Sequence, residues 1–205
     1  MRSITSSPKN LQNLFDFALS GPLFGMFASL ILLLIGLENT LNVDPETFKY
    51  LPSLSVQYIK ISALAGSIVD ATLGGGLLQS PANAAASMMV TLDPLAIAGY
   101  CGLIINALNL LPIGGNTDGG RVASALFGRN GSLLIQGLTR VIVASAALFG
   151  NDPSHILILF ALFTLFAQTS SEVPCRNEID SLDVTRGVLA ITVWILTAMI
   201  LLPSP

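Results

Sequence analysis

Long apolar runs separated by short polar segments dominate this chain. An apolar run extends over 16–37, and its part 23–37 contains no charged residue. A run of this length predicts a membrane-spanning helix, which Gly21 and Pro22 would begin or kink. A second run ends at Pro112, and the sequence predicts three further spans, at 133–149, 156–167 and 184–202.

The segment 38–93 is more polar and less regular. Its first part, 38–52, is acidic and contains prolines, which indicates an exposed loop. At a helical period, one stripe of 54–73 holds the polar residues Gln57, Lys60, Ser67 and Asp70. This stripe predicts one amphipathic helix, either interfacial or at the edge of the bundle. Three glycines then end the helix, and the small residues of 77–93 predict a short helix or a connector.

These elements predict an all-α fold, a polytopic membrane helical bundle of about five transmembrane helices plus one interfacial or bundle-edge helix. Composition agrees, because 52% of the residues are hydrophobic and 10% are charged. We expect a single membrane domain over 1–205. Its predicted parts are a polar N-terminal segment 1–15, an outer-side region 38–93 with the amphipathic helix, and C-terminal spans 94–205.

The distribution of charge gives the predicted orientation and excludes one class of partner. Lys and Arg accumulate on the cytoplasmic or equivalent inner side of membrane proteins. The five-span arrangement places on the inner side Arg2, Lys9, Arg121, Arg129, Arg176 and Arg186. A net charge of −3 provides no basic surface for nucleic acid. The two cysteines, Cys101 and Cys175, are predicted to be free thiols near opposite membrane faces.

The stretch 93–121 carries the residues with candidate chemistry. Asn106 and Asn109 lie within a predicted span, where an amide is costly unless it faces protein, so we expect both to bond neighbouring helices or freed carbonyls. Pro112 ends the span, and Asp118 follows a glycine-rich turn. The residues alone allow two interpretations of Asp118: it caps the next helix, or it is a metal ligand at the membrane edge.

Two further residues stand out within the later spans. Arg140 is expensive at membrane depth, so we expect it to pair with carbonyls, Asn side chains or a lipid phosphate, or to contact a protein partner. Trp194 is the only tryptophan. It is either a packing residue or a contact for a lipid tail or a pigment.

A family resemblance rests on the pattern Asn109-Leu110-Leu111-Pro112 followed by Asp118-Gly119-Gly120-Arg121. It resembles the Asn-x-x-Pro and Asp-Gly motif of the intramembrane site-2 metalloproteases. Within them it is similar to the plastid branch named for ethylene-dependent gravitropism deficiency and yellow-green leaves. Segments 14–22 and 93–103 and the pair 174–175 resemble further landmarks in family order.

The resemblance implies a zinc site in which Asp118 is the third ligand. In active members, a His-Glu-x-x-His helix upstream provides two zinc ligands and the general base. The printed sequence has no such motif, and its one histidine, His155, is predicted on the outer face. A span of about 20 residues would separate it from Asp118 by roughly 30 Å. Five residues also lie between Pro112 and Asp118, one more than the family pattern.

These departures predict a catalytically inactive relative, not an enzyme, without a cofactor. The expected role is a binding or scaffold protein of the plastid thylakoid or another chloroplast membrane. Its expected partner is a membrane protein, such as a photosystem or other thylakoid complex, with chlorophyll or lipid contact left open. Two alternatives remain: part of an active zinc protease whose His-Glu-x-x-His segment lies upstream of Met1, or a purely structural membrane subunit.

Overall fold

A computed structural model describes residues 8–149, 156–167, 174–177 and 182–204. Its helices are α1 (Leu11–Asn42), α2 (Pro45–Phe48), α3 (Val56–Ile59), α4 (Ala63–Thr72), α5 (Ala82–Ala85), α6 (Pro94–Asn109), α7 (Asp118–Phe149), α8 (Ile156–Ala167) and α9 (Val184–Leu201). Two short strands, β1 (Ser53–Ser55) and β2 (Met89–Thr91), complete the elements of the described chain. The predicted helical membrane fold is confirmed.

Three helices of the described residues are long and apolar enough to cross a membrane, namely α1, α7 and α9. Helix α8 coincides with the predicted run 156–167, and α9 ends one residue before the predicted end at Leu202. The predicted total of about five spans stays a prediction.

Helix α1 begins earlier than the apolar run suggests. The side chain of Asn10 accepts the backbone N–H of Asn13 at 2.9 Å, and its carbonyl accepts that of Leu14 at 3.2 Å. Asn10 therefore caps the helix, a role for which asparagine is well suited. Pro22 lies inside α1, so the helix does not begin at Gly21-Pro22.

The prediction of one amphipathic helix over 54–73 is wrong. The segment instead contains β1, α3 and α4, and β1 pairs antiparallel with β2, with Ser53 opposite Thr91. The break has a local cause at Ser62, whose hydroxyl accepts the backbone N–H of Ala65 at 3.1 Å and starts a new helix. A periodic polar stripe does not reveal this competition between a cap and a continuous helix.

Contacts divide the chain into two compact units, which are described separately. One consists of Met1–Pro22 and Asn109–Ile195, and the other of Leu23–Leu108 and Leu196–Pro205. The predicted single membrane domain over 1–205 stays a prediction.

In the second unit, glycines bring α1 and α6 together. A Cβ atom on Gly36 would overlap the backbone of Ala96, and one on Gly99 would overlap the backbone of Leu33. Small residues allow such close approach in membrane bundles, where packing and not apolar burial drives helix association. The Tyr100 hydroxyl adds a hydrogen bond from α6 to the carbonyl of Tyr58, at 2.8 Å.

In the first unit, α7 is broken at Gly128, whose φ is 68° and ψ is −178°. This break lies just before the span that the sequence predicts at 133–149. The Ser124 hydroxyl bonds that of Ser132 at 3.1 Å across it. Residues 129–149 pack against α8 in a cluster that includes Val143, Ala147 and Ala161 together with Ile113.

Polar contacts hold the N-terminal part of α1, and the residues just before it, in the first unit. Arg186 of α9 donates from Nε and Nη2 to the two carboxylate oxygens of Asp16, both at 2.8 Å. The backbone N–H of Asn177 donates to the carbonyl of Lys9 at 3.1 Å. The pair Pro174-Cys175, a landmark of the resemblance, precedes this contact, and Cys175 is buried.

Candidate functional site

Residues 110–117 connect α6 to α7 and are called here the Asp118 loop. Helix α6 ends at Asn109, because Pro112 lacks the N–H that would continue the helix. Leu110 and Ile113 are almost completely buried, at 0% and 1% exposure. The loop leads directly to Asp118, the first residue of α7.

Thr117, and not Asp118, caps α7. The Thr117 hydroxyl accepts the backbone N–H of Gly120 at 3.0 Å and donates to the carbonyl of Gly114 at 2.7 Å. The capping role suggested for Asp118 is therefore corrected. The signal was present in the sequence, because threonine is a preferred N-cap and directly precedes the helix. Asp118 still suits the first turn, where a carboxylate faces the positive end of the helix dipole.

Asp118 combines partial exposure with a fixed cationic neighbour. Its side chain is 35% exposed, and its Oδ1 lies 3.4 Å from Nη1 of Arg121, whose side chain is 9% exposed. The Arg121 guanidinium carbon is also 5.8 Å from the centre of the Phe17 ring. Arg121 is thus buried in the unit as a partner of Asp118, although the sequence indicated only a charge near the inner face.

The two glycines after Asp118 have a steric role. A Cβ atom on Gly119 would overlap the carbonyl groups of Leu110 and Leu111, and one on Gly120 would overlap the carbonyl of Gly114. The first turn of α7 and the Asp118 loop are therefore in backbone contact, which only a residue without a side chain permits. This explains why Asp118 is followed by two glycines.

Side chains from two other helical segments bind carbonyls of the loop. Arg140, in the second part of α7, donates from Nε to the carbonyl of Ile113 at 2.7 Å. Trp194 of α9 donates from Nε1 to the carbonyl of Leu110 at 3.3 Å and stacks on Phe127 with ring centres 6.0 Å apart. Carbonyl pairing of Arg140 and packing of Trp194 are therefore observed. Contact of either residue with lipid, pigment or a partner stays a prediction.

The two asparagines differ in their surroundings. Asn106 is half-buried, donates to the carbonyl of Gly102 at 2.8 Å, and occupies the space beside Gly25. Its position beside Gly25 of α1 agrees with the predicted role between helices, but this hydrogen bond lies within α6 and does not reach a neighbouring helix. Asn109 is exposed, contrary to the expectation that it faces protein. The buried positions near this end of α6 are taken by Ala107 and Leu110.

Asp118 is the residue of this site whose chemistry could suit a metal ion. Asp118 fits one position, since a partly exposed carboxylate is a normal zinc ligand. Within the described ranges, however, no group of three or more His, Cys, Asp or Glu side chains could hold a metal. His155, which was predicted on the outer face, lies outside the described residues. Among the residues that the structure describes, Asp118 is the candidate ligand that the motif indicates.

Comparison with known proteins places this geometry in context. The profile described as "Peptidase family M50" matches residues 3–149, which include the Asp118 loop. "Probable zinc metalloprotease EGY1, chloroplastic" of Arabidopsis thaliana is 31% identical over 188 residues, covering 92% of this chain and 32% of that protein. "Probable zinc metalloprotease EGY3, chloroplastic" of Oryza sativa subsp. indica is 33% identical over 169 residues, covering 82% and 27%.

A third relative is not named as a protease. The "DDT domain-containing protein PTM" of Arabidopsis thaliana is 33% identical over 162 residues, covering 79% of this chain and 8% of that protein. No solved structure matches the chain. The chain spans about a third of the length of the metalloprotease relatives it matches.

These matches overturn the expectation that the chain is not an enzyme. The profile describes a peptidase family, and the two chloroplastic relatives are named as zinc metalloproteases, so the comparisons point to a protease. The expectation rested on the absence of a His-Glu-x-x-His motif from these 205 residues, and that absence does not decide whether the protein is an enzyme.

Proposed function

Because the chain belongs to peptidase family M50, we propose that it forms the part of an intramembrane zinc metalloprotease that carries the Asp-Gly motif, with Asp118 as a zinc ligand. The observation that carries the proposal is the partly exposed Asp118 carboxylate at the start of α7, on a loop fixed by other helical segments. The histidine ligands and the general base would come from protein outside the printed sequence.

Zinc, when bound, would activate a water molecule for peptide hydrolysis by lowering its pKa. Asp118 would supply a negatively charged oxygen ligand. Arg121 would hold the Asp118 side chain in one orientation through Oδ1. Buried Leu110 and Ile113 fix the loop in an apolar setting, so the carboxylate is presented from a rigid support.

The proposed substrate is a polypeptide within or next to the membrane, and the proposed location is a chloroplast membrane, with the thylakoid as the specific expectation. The names of the two chloroplastic relatives support this location. Long apolar helices, including α1 and α9, support action at the membrane.

The test uses the full natural gene product, purified in detergent, with zinc content and cleavage of a membrane-peptide reporter as readouts. Asp118→Ala is expected to lower zinc occupancy and abolish cleavage. Asp44→Ala is the matched control, because Asp44 is exposed and makes no side-chain cap bond to α2. Unchanged zinc occupancy and cleavage in the Asp118→Ala protein would refute the proposal.

A second candidate is recognition of membrane-protein partners, for example of a photosynthetic complex, and it is compatible with proteolysis. The relative named for a DDT domain favours it, because a similar segment there belongs to a protein whose name does not denote a protease. Photo-crosslinking from an exposed position such as Ile142 tests it. A reproducible crosslinked protein is expected, and crosslinks to lipid alone would contradict it.

A further inference from the structure

Arg140 reaches the Asp118 loop from a distant position in the chain. Arg140 is 22 residues beyond Asp118, so in an unbroken helix with a rise of about 1.5 Å the two would be roughly 33 Å apart. Instead, Nε of Arg140 lies 2.7 Å from the carbonyl oxygen of Ile113, in the loop that precedes Asp118. The break at Gly128 therefore returns the second part of α7 to the loop.

We propose that Arg140 is a positioning residue for Asp118, an inference that rests on the proposed zinc-protease function. The carbonyl of Ile113 lies in the loop between α6 and α7, so it belongs to no helix, and a buried backbone carbonyl needs a donor from elsewhere. Ile113 is 1% exposed. A cationic donor bound to a carbonyl in such an apolar setting holds it more firmly than a neutral donor in water does.

Other contacts define what Arg140 adds. Thr117 bonds the carbonyl of Gly114 within the loop, which shapes the turn without connecting it to another segment. Trp194 reaches Leu110, at the start of the loop, at the longer distance of 3.3 Å. Arg140 binds the middle of the loop at 2.7 Å. Of these two hydrogen bonds, that of Arg140 is the shorter and lies nearer to Asp118 along the chain.

Metal geometry makes this fixation relevant to function. The distance between zinc and a ligand atom can vary by only about 0.2 Å from its usual value. A one-residue shift of the chain, by contrast, moves an atom by up to about 3.5 Å. The five-residue interval between Pro112 and Asp118 gives the loop room for alternative paths. Arg140 selects one of them, by fixing the position of Ile113.

Zinc affinity of the full natural gene product, measured by competition with a chelator, tests the inference. Arg140→Met is expected to weaken zinc binding about 10- to 100-fold, as does removal of outer-shell support at other metal sites. Arg176→Met is the matched control, because Arg176 is exposed and its contact with the described residues is a bond from its backbone N–H to the carbonyl of Pro8. Unchanged affinity in folded Arg140→Met protein overturns the inference.

A second variant decides the matter if Arg140→Met does not fold. Arg140→Lys keeps the charge but places a methylene where Nε donates, so zinc affinity several-fold below that of the parent is expected. Parental affinity in the Arg140→Lys protein contradicts the inference. Melting of the chelator-treated proteins is measured in parallel, because a purely structural role lowers the melting temperature without changing zinc affinity of the folded protein.

The Asp118→Ala variant distinguishes failure of the proposed zinc-protease function from failure of the proposed role of Arg140. If the Asp118→Ala protein retains zinc, the proposed function fails. If the Asp118→Ala protein loses zinc while the Arg140→Met protein keeps parental affinity, the proposed function stands and only the role of Arg140 is refuted.

Discussion

Substitution of Gly128 by alanine measures the backbone strain that a residue with a side chain would have at the break in α7. With φ at 68° and ψ at −178°, Gly128 occupies a backbone region that is essentially restricted to glycine. No atom lies within 4 Å of a Cβ built on Gly128, so the cost of the substitution comes from the backbone and not from a clash. That cost is about 1–3 kcal/mol for a residue with a side chain.

Gly137→Ala is a control with the same chemical change in the same helix. A Cβ on Gly137 also meets nothing within 4 Å, but Gly137 is not among the residues with positive φ. Alanine in a helix interior is more stable than glycine by about 0.5–1 kcal/mol, so this variant is expected to be stabilised. Both changes restrict the unfolded chain similarly. The difference in unfolding free energy between the variants therefore measures the strain.

Equilibrium unfolding in detergent micelles provides the measurement. The Gly128→Ala protein is expected to be less stable than the Gly137→Ala protein by about 1–3 kcal/mol, roughly a 5- to 150-fold difference in the unfolding equilibrium. Equal stability of the two proteins, or higher stability of the Gly128→Ala protein, would show that the reversal at Gly128 is not required. The path of Arg140 back to Ile113 would then need another explanation.

Two further substitutions test the packing of the glycines and the capping of α7. Gly99→Ala is expected to destabilise the protein by about 1–3 kcal/mol, since the added Cβ would lie 2.6 Å from the Ser29 carbonyl oxygen and overlap Leu33. Unfolding in detergent is the measurement, and Gly21→Ala is the control because the space around its Cβ is open. Thr117→Val removes the hydroxyl that caps α7 and is expected to lower the unfolding free energy by about 1 kcal/mol. Thr117→Ser keeps a hydroxyl and should largely retain the stability of the parent. Equal stability of the Thr117→Val and Thr117→Ser proteins would contradict the cap.

Much of the membrane architecture was predictable because it depends on runs of side chains with one character. The apolar runs located α8 and most of α1 and α9, and the span predicted to begin at 133 starts close to the break in α7 at Gly128. The segment 54–73 was not predictable in this way. There the Ser62 hydroxyl accepts a nearby backbone N–H and starts a new helix, and a polar stripe contains no information about that cap.

The candidate site was predictable as a set of residues but not as a set of contacts. Pro112, Asp118 and the two glycines were found from their pattern, whereas the burial of Arg121 and the reach of Arg140 depend on tertiary structure. The extra loop residue was one of the departures from the family pattern that predicted an inactive relative. In the structure, the backbone N–H of Thr117 bonds the carbonyl of Gly114 at 3.1 Å and closes a compact turn.

Loop length alone therefore does not decide whether Asp118 can serve a metal. If the five residues between Pro112 and Asp118 were free to move, the distance between the two ends of the loop would vary, and the Asp118 carboxylate would have no fixed position. Here the interval is closed internally by Thr117, packed against Gly120, and bound at Ile113 by Arg140. Since each of these contacts acts on the backbone, the position of Asp118 depends more on the groups that hold the loop than on the number of residues in it.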